Sequence, residues 1–311
     1  MKRSKTFFKT SITALGLMHC INRYIDSTAI SRSVHKSGGK FYHWKHGDIY
    51  YTALEAVNKP PILLIHDLTV FSSEYEWSMI TKELSKFYSV FTVDLIGCGK
   101  SDKPEITYTN YFYVQMIHDF ITDIIGQPTK VVATGLSSSF VLMANSIHEN
   151  LFTEITMINP APLSYLKQTP DNRSKILMKL FSLPVIGKTV YYIDTNKQNT
   201  EYYLTEKCFY NPFHLKKSTI KAYYDASHTC SGNGKMLLAS LNGYYVNIDI
   251  SNALKNADKK LSIIVGSHNE NKNEILSAYT RINPEISTNI VDNTKLLPQL
   301  ETPDALLELI R

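Results

Sequence analysis

The sequence predicts an α/β domain with a mostly parallel central sheet and helices packed on both of its faces. Two observations predict this class: short apolar runs alternate with amphipathic stretches, and the apolar runs lack the polar alternation of half-exposed strands. The 311 residues are 43% hydrophobic and 20% charged, which suffices for a large core and excludes a collagen-like or disordered chain.

The elements alternate along most of the chain. Two apolar segments around a His-Gly-Asp turn predict a hairpin, and later apolar runs predict buried strands separated by helices. The predicted strands are 41–44, 49–54, 62–65, 89–93, 130–134, 154–158, 261–265 and 289–291. The predicted helices are 73–87, 111–125, 140–147, a stretch ending at 279, and 303–310.

The alternation stops between residues 163 and 251, where tyrosines cluster among helical stretches. This change predicts a helical insertion, 163–251, in an α/β core made of 39–162 and 252–311. The aromatic rings favour a small apolar or lipid-like ligand, and the alternative is that they form the core of the insertion itself.

The N-terminal segment, 1–38, predicts an amphipathic helix with basic residues near its start. Two interpretations remain open: residues 1–25 contact a membrane surface, or the apolar face packs on the body of the protein. A secretory signal is disfavoured because the apolar core is short and no small-x-small cleavage site follows. No run approaches the roughly 20 apolar residues of a membrane span.

The remaining composition excludes several classes of function. A net charge of +5 spread along the chain gives no reason to expect nucleic-acid binding, and no nucleic-acid-binding motif occurs. The four cysteines are far apart and predict neither a metal site nor a disulfide framework. We therefore expect no metal or cofactor. We also expect a cytoplasmic protein, which would be associated with the inner face of the membrane if the N-terminal segment contacts lipid.

The segment from Ala133 to Phe140 joins a predicted strand to a predicted helix. A sharp turn there needs small residues two before and two after its apex, and Gly135 and Ser139 place that apex at Ser137. The hydroxyl of Ser137 would then project from the sheet at a helix N-terminus. The alternative is a serine-rich loop that only caps the helix.

Two further loops surround this turn. His66 ends the strand 62–65, and the backbone N–H groups of Leu68 and Ser138 are predicted to stabilise an oxyanion. His66 itself is interpreted as a structural hydrogen-bonding residue. The loop 93–104 contains Gly-x-Gly, but no helix opens there, so we exclude nucleotide binding.

In this order and spacing, these segments resemble the α/β-hydrolase superfamily over residues 41–310. The resemblance implies a cap in the insertion, a serine nucleophile, an acid after the seventh strand and a histidine after the eighth. The chain departs from this pattern: Leu296 or Lys295 stands where the histidine is expected, and Asn269 stands at the acid position beside Glu270.

The functional prediction is therefore a serine hydrolase with a degenerate triad, acting on an ester, thioester or amide with an apolar acyl group. Its catalytic residues would be Ser137 as nucleophile, Glu270 as acid and either His268 or a cap residue such as His214 or His228 as substitute base, since a serine needs a proton acceptor. The alternative is a non-catalytic hydrolase-like protein that binds a ligand or partner.

Overall fold

A computed structural model describes residues 2–33 and 38–311 and contains one eight-stranded sheet. The strand order is β1-β2-β4-β3-β5-β6-β7-β8, in which β1 and β2 form the predicted hairpin and β3 to β8 run parallel. The predicted fold class is confirmed. The strands are β1 Lys40–Trp44, β2 Gly47–Leu54, β3 Pro61–Ile65, β4 Ser89–Val93, β5 Thr129–Thr134, β6 Phe152–Ile158, β7 Lys260–Gly266 and β8 Ser287–Val291.

The central strands are apolar throughout because both faces of the sheet are covered. Every residue of β3 and of β5 is buried. One face packs on a large cluster that contains Tyr113 and Phe140, and the other packs on a smaller cluster around Trp77 and Leu306. The candidate site lies at the ends of these strands, where Asp67 follows β3 and Gly135 follows β5.

The helices outside the insertion come before β6 or after β7 in the chain. They are α1 Lys2–Ser33, α2 Thr81–Leu84, α3 Asn110–Phe120, α4 Ser137–Ile147, α12 Lys272–Ile282, α13 Pro298–Glu301 and α14 Pro303–Ile310, with α5 to α11 given below. The predicted helix 73–87 is wrong: the segment forms a 3-10 turn, Glu74–Trp77, and the short α2. Glu76 and Trp77, both buried, lie in this 3-10 turn.

Between β6 and β7 the described chain forms helices and turns without a strand. These helices are α5 Leu163–Leu166, α6 Asn172–Ser182, α7 Pro184–Asp194, α8 Lys197–Tyr202, α9 Lys217–His228, α10 Lys235–Asn242 and α11 Ser251–Lys255. Several tyrosines of this segment, including Tyr191 and Tyr223, are fully buried, as the core-forming alternative predicts.

Helix α1 packs against α7. The Asn22 amide donates to the Val185 carbonyl at 3.1 Å, and Asp26 forms an ion pair with Lys188 at 2.7 Å. Among the described residues no individual helix has the length and apolarity for a membrane span, although α6 and α7, bent by 103°, meet that criterion as a pair.

Candidate functional site

The chain turns sharply at Gly135, directly after β5. Gly135 has φ +54°, and α4 begins two residues later at Ser137. This left-handed backbone is readily adopted by glycine because it has no Cβ. The apex of the bend is therefore Gly135, two residues before the predicted position. Ala133 and Ser137 are the small residues that flank it.

Ser137 lies inside the first turn of α4 and is fully buried. Its Oγ donates to the His66 carbonyl oxygen at 2.7 Å. The Ser138 N–H, which was predicted to stabilise an oxyanion, points to the Gly135 carbonyl oxygen at 3.3 Å. This geometry supports neither predicted role, because both groups serve local hydrogen bonds of the bend.

Asp67 occupies the space beside the apex. A Cβ placed on Gly135 would lie 2.2 Å from Asp67 Cγ, so the carboxyl group fills the volume of a side chain at that position. Asp67 Oδ1 accepts hydrogen bonds from the N–H groups of Leu68 and Leu136, both at 2.8 Å. The N–H of Leu68, which was predicted from the sequence as an oxyanion donor, is thus bonded to this carboxylate together with the N–H of Leu136.

Burial and these two hydrogen bonds shift the pKa of Asp67 in opposite directions. Burial disfavours its charged form and raises its pKa to about 6, while the Leu136 and Leu68 N–H groups act in the opposite direction. At neutral pH the carboxylate is therefore ionised. It resembles a bound anion held by two backbone N–H groups at a helix N-terminus.

His66 has a structural role, as the sequence predicted. Its Nε2 accepts from the Leu95 N–H at 3.1 Å, and its Nδ1 lies 2.6 Å from the Asp67 carbonyl oxygen. Burial lowers the pKa of His66 to about 4, so the ring is neutral at physiological pH. Both ring nitrogens are used to hold the loop that carries Asp67.

A second carboxyl group, Glu76, lies beneath the bend and was missed in the sequence. Its Oε2 accepts from Thr134 Oγ1 and Gln299 Nε2, both at 3.3 Å. Burial, with a further contribution from the charge of Asp67, raises the pKa of Glu76 to about 8. No local pattern marks Glu76, because it stands between Glu74 and Ser78 in a segment with several polar residues.

The loop after β7 contains Asn269 at the expected acid position. Asn269 is buried and donates from Nδ2 to Asn159 Oδ1 at 2.8 Å, and Asn159 in turn donates to the Leu296 carbonyl oxygen at 3.1 Å. The Leu296 side chain lines the same cavities as Gly135. Lys295 turns away, with Nζ bonded to the Glu206 carbonyl oxygen, so Leu296 is the residue that faces the bend.

The structure does not bring His268 or Glu270 to Ser137. His268 is exposed and stacks on Tyr210 with ring centroids 3.7 Å apart. Glu270 is 64% exposed and forms an ion pair with Lys295 at 3.4 Å. Because Ser137 is enclosed and both partners lie at the surface, these three residues do not form a catalytic group here.

An open pocket of about 300 Å³ lies above the bend, and we call it the outer pocket. Its floor includes Asp67 and Gly135, and its walls include Leu241, Ile275 and Leu296. A smaller inner cavity of about 30 Å³ lies on the other side of Asp67, beside Glu76 and Tyr223. Ser137 lines neither space.

The fold agrees with the comparisons. Residues 60–184 match a family model described as the alpha/beta hydrolase fold. A curated 2-hydroxy-6-oxo-6-(2'-aminophenyl)hexa-2,4-dienoic acid hydrolase from Metapseudomonas resinovorans is 28% identical over 119 residues. That match covers 38% of this chain and 41% of the relative, so this chain spans about two fifths of the relative's length.

Solved structures extend the likeness in fold to most of the chain. A 2-hydroxy-6-oxo-6-phenylhexa-2,4-dienoate hydrolase from a Rhodococcus species has a TM-score of 0.70 and 15% identity, covering 88% of this chain and 96% of its own. Carboxylesterase CesB from Bacillus subtilis has a TM-score of 0.68 and 15% identity, covering 94% and 96%. The chain has the α/β-hydrolase fold.

Proposed function

We propose that this chain is a non-catalytic member of the superfamily that binds a small ligand in the outer pocket. The observation that carries the proposal is the pair formed by Gly135 and Asp67. The apex of the bend, where this fold places its nucleophile, has no side chain, and Asp67 takes its volume.

Acyl transfer needs two things that this bend lacks. The first is a nucleophilic side chain activated by a base. The second is a pair of free N–H groups for the negative oxygen of the tetrahedral intermediate. The Leu68 and Leu136 N–H groups already hold the Asp67 carboxylate, whose charge would also repel a developing oxyanion.

The other two triad positions support the same conclusion. Asn269 carries no charge and uses its Nδ2 for Asn159, and Leu296 cannot accept a proton. Replacement of all three catalytic functions removes the means of turnover but leaves the pocket. A pocket with apolar walls and a few polar groups at its floor is the usual form of a small-molecule site.

A fluorophosphonate probe, which labels activated serines, distinguishes this proposal from the serine-hydrolase prediction. We expect no labelling of the wild-type chain and no change in Ser137→Ala. The positive control is the fourfold variant Asp67→Gly, Gly135→Ser, Asn269→Asp, Leu296→His. We expect this variant to be labelled if thermal unfolding shows that it is folded. Labelling of the wild-type chain that disappears in Ser137→Ala would refute the proposal.

We also propose that α1 contacts an anionic membrane surface, as one sequence interpretation predicted. Its inward face packs on α7, yet Leu17, Ile21 and Tyr24 on its other side are 63%, 48% and 71% exposed. The basic residues near the start of α1 favour anionic lipid.

Sedimentation with phosphatidylglycerol vesicles tests the membrane contact. We expect the double variant Leu17→Asp, Ile21→Asp to bind at least ten-fold more weakly than the wild-type chain. The control Val57→Asp, at a loop position that is 89% exposed, should bind like the wild type. Equal binding of the double variant and the wild type would exclude contact through this face.

A further inference from the structure

The outer pocket has a carboxyl group, that of Asp67, at its floor. Asp67 is only partly buried and lines the pocket from below. Among the described residues that line this pocket there is no lysine, arginine or histidine. A carboxylate in a pocket with apolar walls, without a cation beside it, attracts a positively charged ligand.

The hydrogen bonds of Asp67 leave one side of the carboxylate for a ligand. The N–H groups of Leu68 and Leu136 both donate to Oδ1, and they hold the carboxyl group in one orientation. Because the residue is partly accessible, Oδ2 can accept a hydrogen bond from a molecule in the pocket. Charge-assisted hydrogen bonds of this kind are roughly twice as strong as those between neutral groups.

The side-chain amides of Asn159 and Asn269, which also line the pocket, are already paired. Asn159 bonds Asn269, the Gly266 N–H and the Leu296 carbonyl oxygen. These amides therefore shape the wall without demanding a polar ligand. The upper walls add Leu241 and Ile275, which suit an apolar body.

We infer that the outer pocket binds a primary organic amine in its ammonium form, with the ammonium on Asp67 Oδ2 and a compact apolar group between Leu241, Ile275 and Leu296. This inference rests on the proposed non-catalytic function. Asp67 can bind an ammonium group only if no oxyanion of a reaction intermediate takes its place on the two N–H groups. The charge preference is opposite to that of an acyl-transfer site, whose N–H groups meet a negative oxygen.

Isothermal titration at pH 8 with three ligands of one shape tests the inference: benzylamine, benzyl alcohol and phenylacetate. We expect benzylamine to bind at least ten-fold more tightly than either of the others. Asp67→Asn, which keeps shape and removes charge, should weaken benzylamine at least ten-fold. Asp292→Asn, at an exposed loop position, is the matched control and should not change the affinity.

A second variant keeps the test decisive if Asp67→Asn unfolds. Leu241→Trp, at a partly exposed position of the lining, fills the pocket without altering charge, and we expect it to abolish benzylamine binding. The inference is overturned if benzylamine does not bind, if benzyl alcohol or phenylacetate binds as well, or if folded Asp67→Asn keeps the wild-type affinity. The fluorophosphonate experiment is independent of these outcomes, so an unlabelled chain that ignores benzylamine loses only the ligand class.

Discussion

Two loops at the same end of the sheet contain the same arrangement of an aspartate and a glycine, but in different surroundings. In the loop after β4, Asp94 lies against Gly99, which has φ +48°, and accepts from the Lys100 N–H at 2.7 Å. At the bend after β5, Asp67 lies against Gly135, which has φ +54°, and accepts from the N–H of the next residue at 2.8 Å. In each case a left-handed glycine makes room for a carboxyl group that caps the backbone beyond it.

The surroundings of the two aspartates differ. Asp94 is fully enclosed, and although burial raises its pKa to about 6, the cations Lys100 and Lys103 favour its charged form. Asp67 faces a pocket instead, with the protonatable Glu76 beneath it. The comparison teaches that one capping motif can close a loop or, where a pocket opens beside it, present a fixed carboxylate to a ligand.

The largest expected effect is that of Gly99→Ala. A Cβ there would lie 2.1 Å from Asp94 Oδ2, and the enclosed carboxyl group has no space to move into. Backbone strain and lost hydrogen bonds should together reduce the free energy of unfolding by about 3 kcal/mol or more. Urea unfolding measures this loss. Gly126→Ala is the control, because φ is +73° but nothing lies within 4 Å, and a loss there equal to that of Gly99→Ala would contradict the argument.

Gly135→Ala should cost less, about 2 kcal/mol, because Asp67 can move into the outer pocket. Its added Cβ meets the same type of group, at 2.2 Å from Asp67 Cγ. Removing the carboxyl group in Asp67→Ala, Gly135→Ala should recover part of the loss, with a coupling of about 1 kcal/mol in a double-mutant cycle. Strictly additive losses would show that Asp67 does not occupy the apex.

The pH dependence of stability also distinguishes the two aspartates. Asp67 has the carboxyl group of Glu76 beside it, whereas Asp94 has lysines. The pKa of Glu76 is raised from 4.5 to about 8 in the folded chain, so the folded state holds a proton that the unfolded state has released. The stabilising effect is present at low pH and is lost as pH rises towards 8. Between pH 6.5 and 8 the free energy of unfolding should fall by at most about 1.4 kcal/mol per pH unit relative to Glu76→Gln. Parallel pH profiles for the two chains would contradict the raised pKa.

The strands could be predicted because each central run is apolar on both faces, as in Ile62–Ile65. The apex could not, because Gly135-x-Ser137-x-Ser139 and Ala133-x-Gly135-x-Ser137 both satisfy the rule for small residues. The choice depends on where β5 ends, and Thr134 still pairs with Ile158 of β6. The cap from Asp67 to Leu136 spans 69 positions in sequence, so no local pattern reveals it.

The smallest expected effect is that of Ser137→Ala, and it separates the two interpretations of the bend. As a buried donor to the His66 carbonyl oxygen, the hydroxyl should contribute about 1 kcal/mol to the free energy of unfolding. Ser277→Ala, which removes an exposed helical hydroxyl, should stay within about 0.5 kcal/mol of the wild type. Since Ser137 does not line the outer pocket, its loss should also leave benzylamine affinity unchanged. A variant with wild-type stability but altered pocket binding would place this hydroxyl in the pocket and return the apex to Ser137.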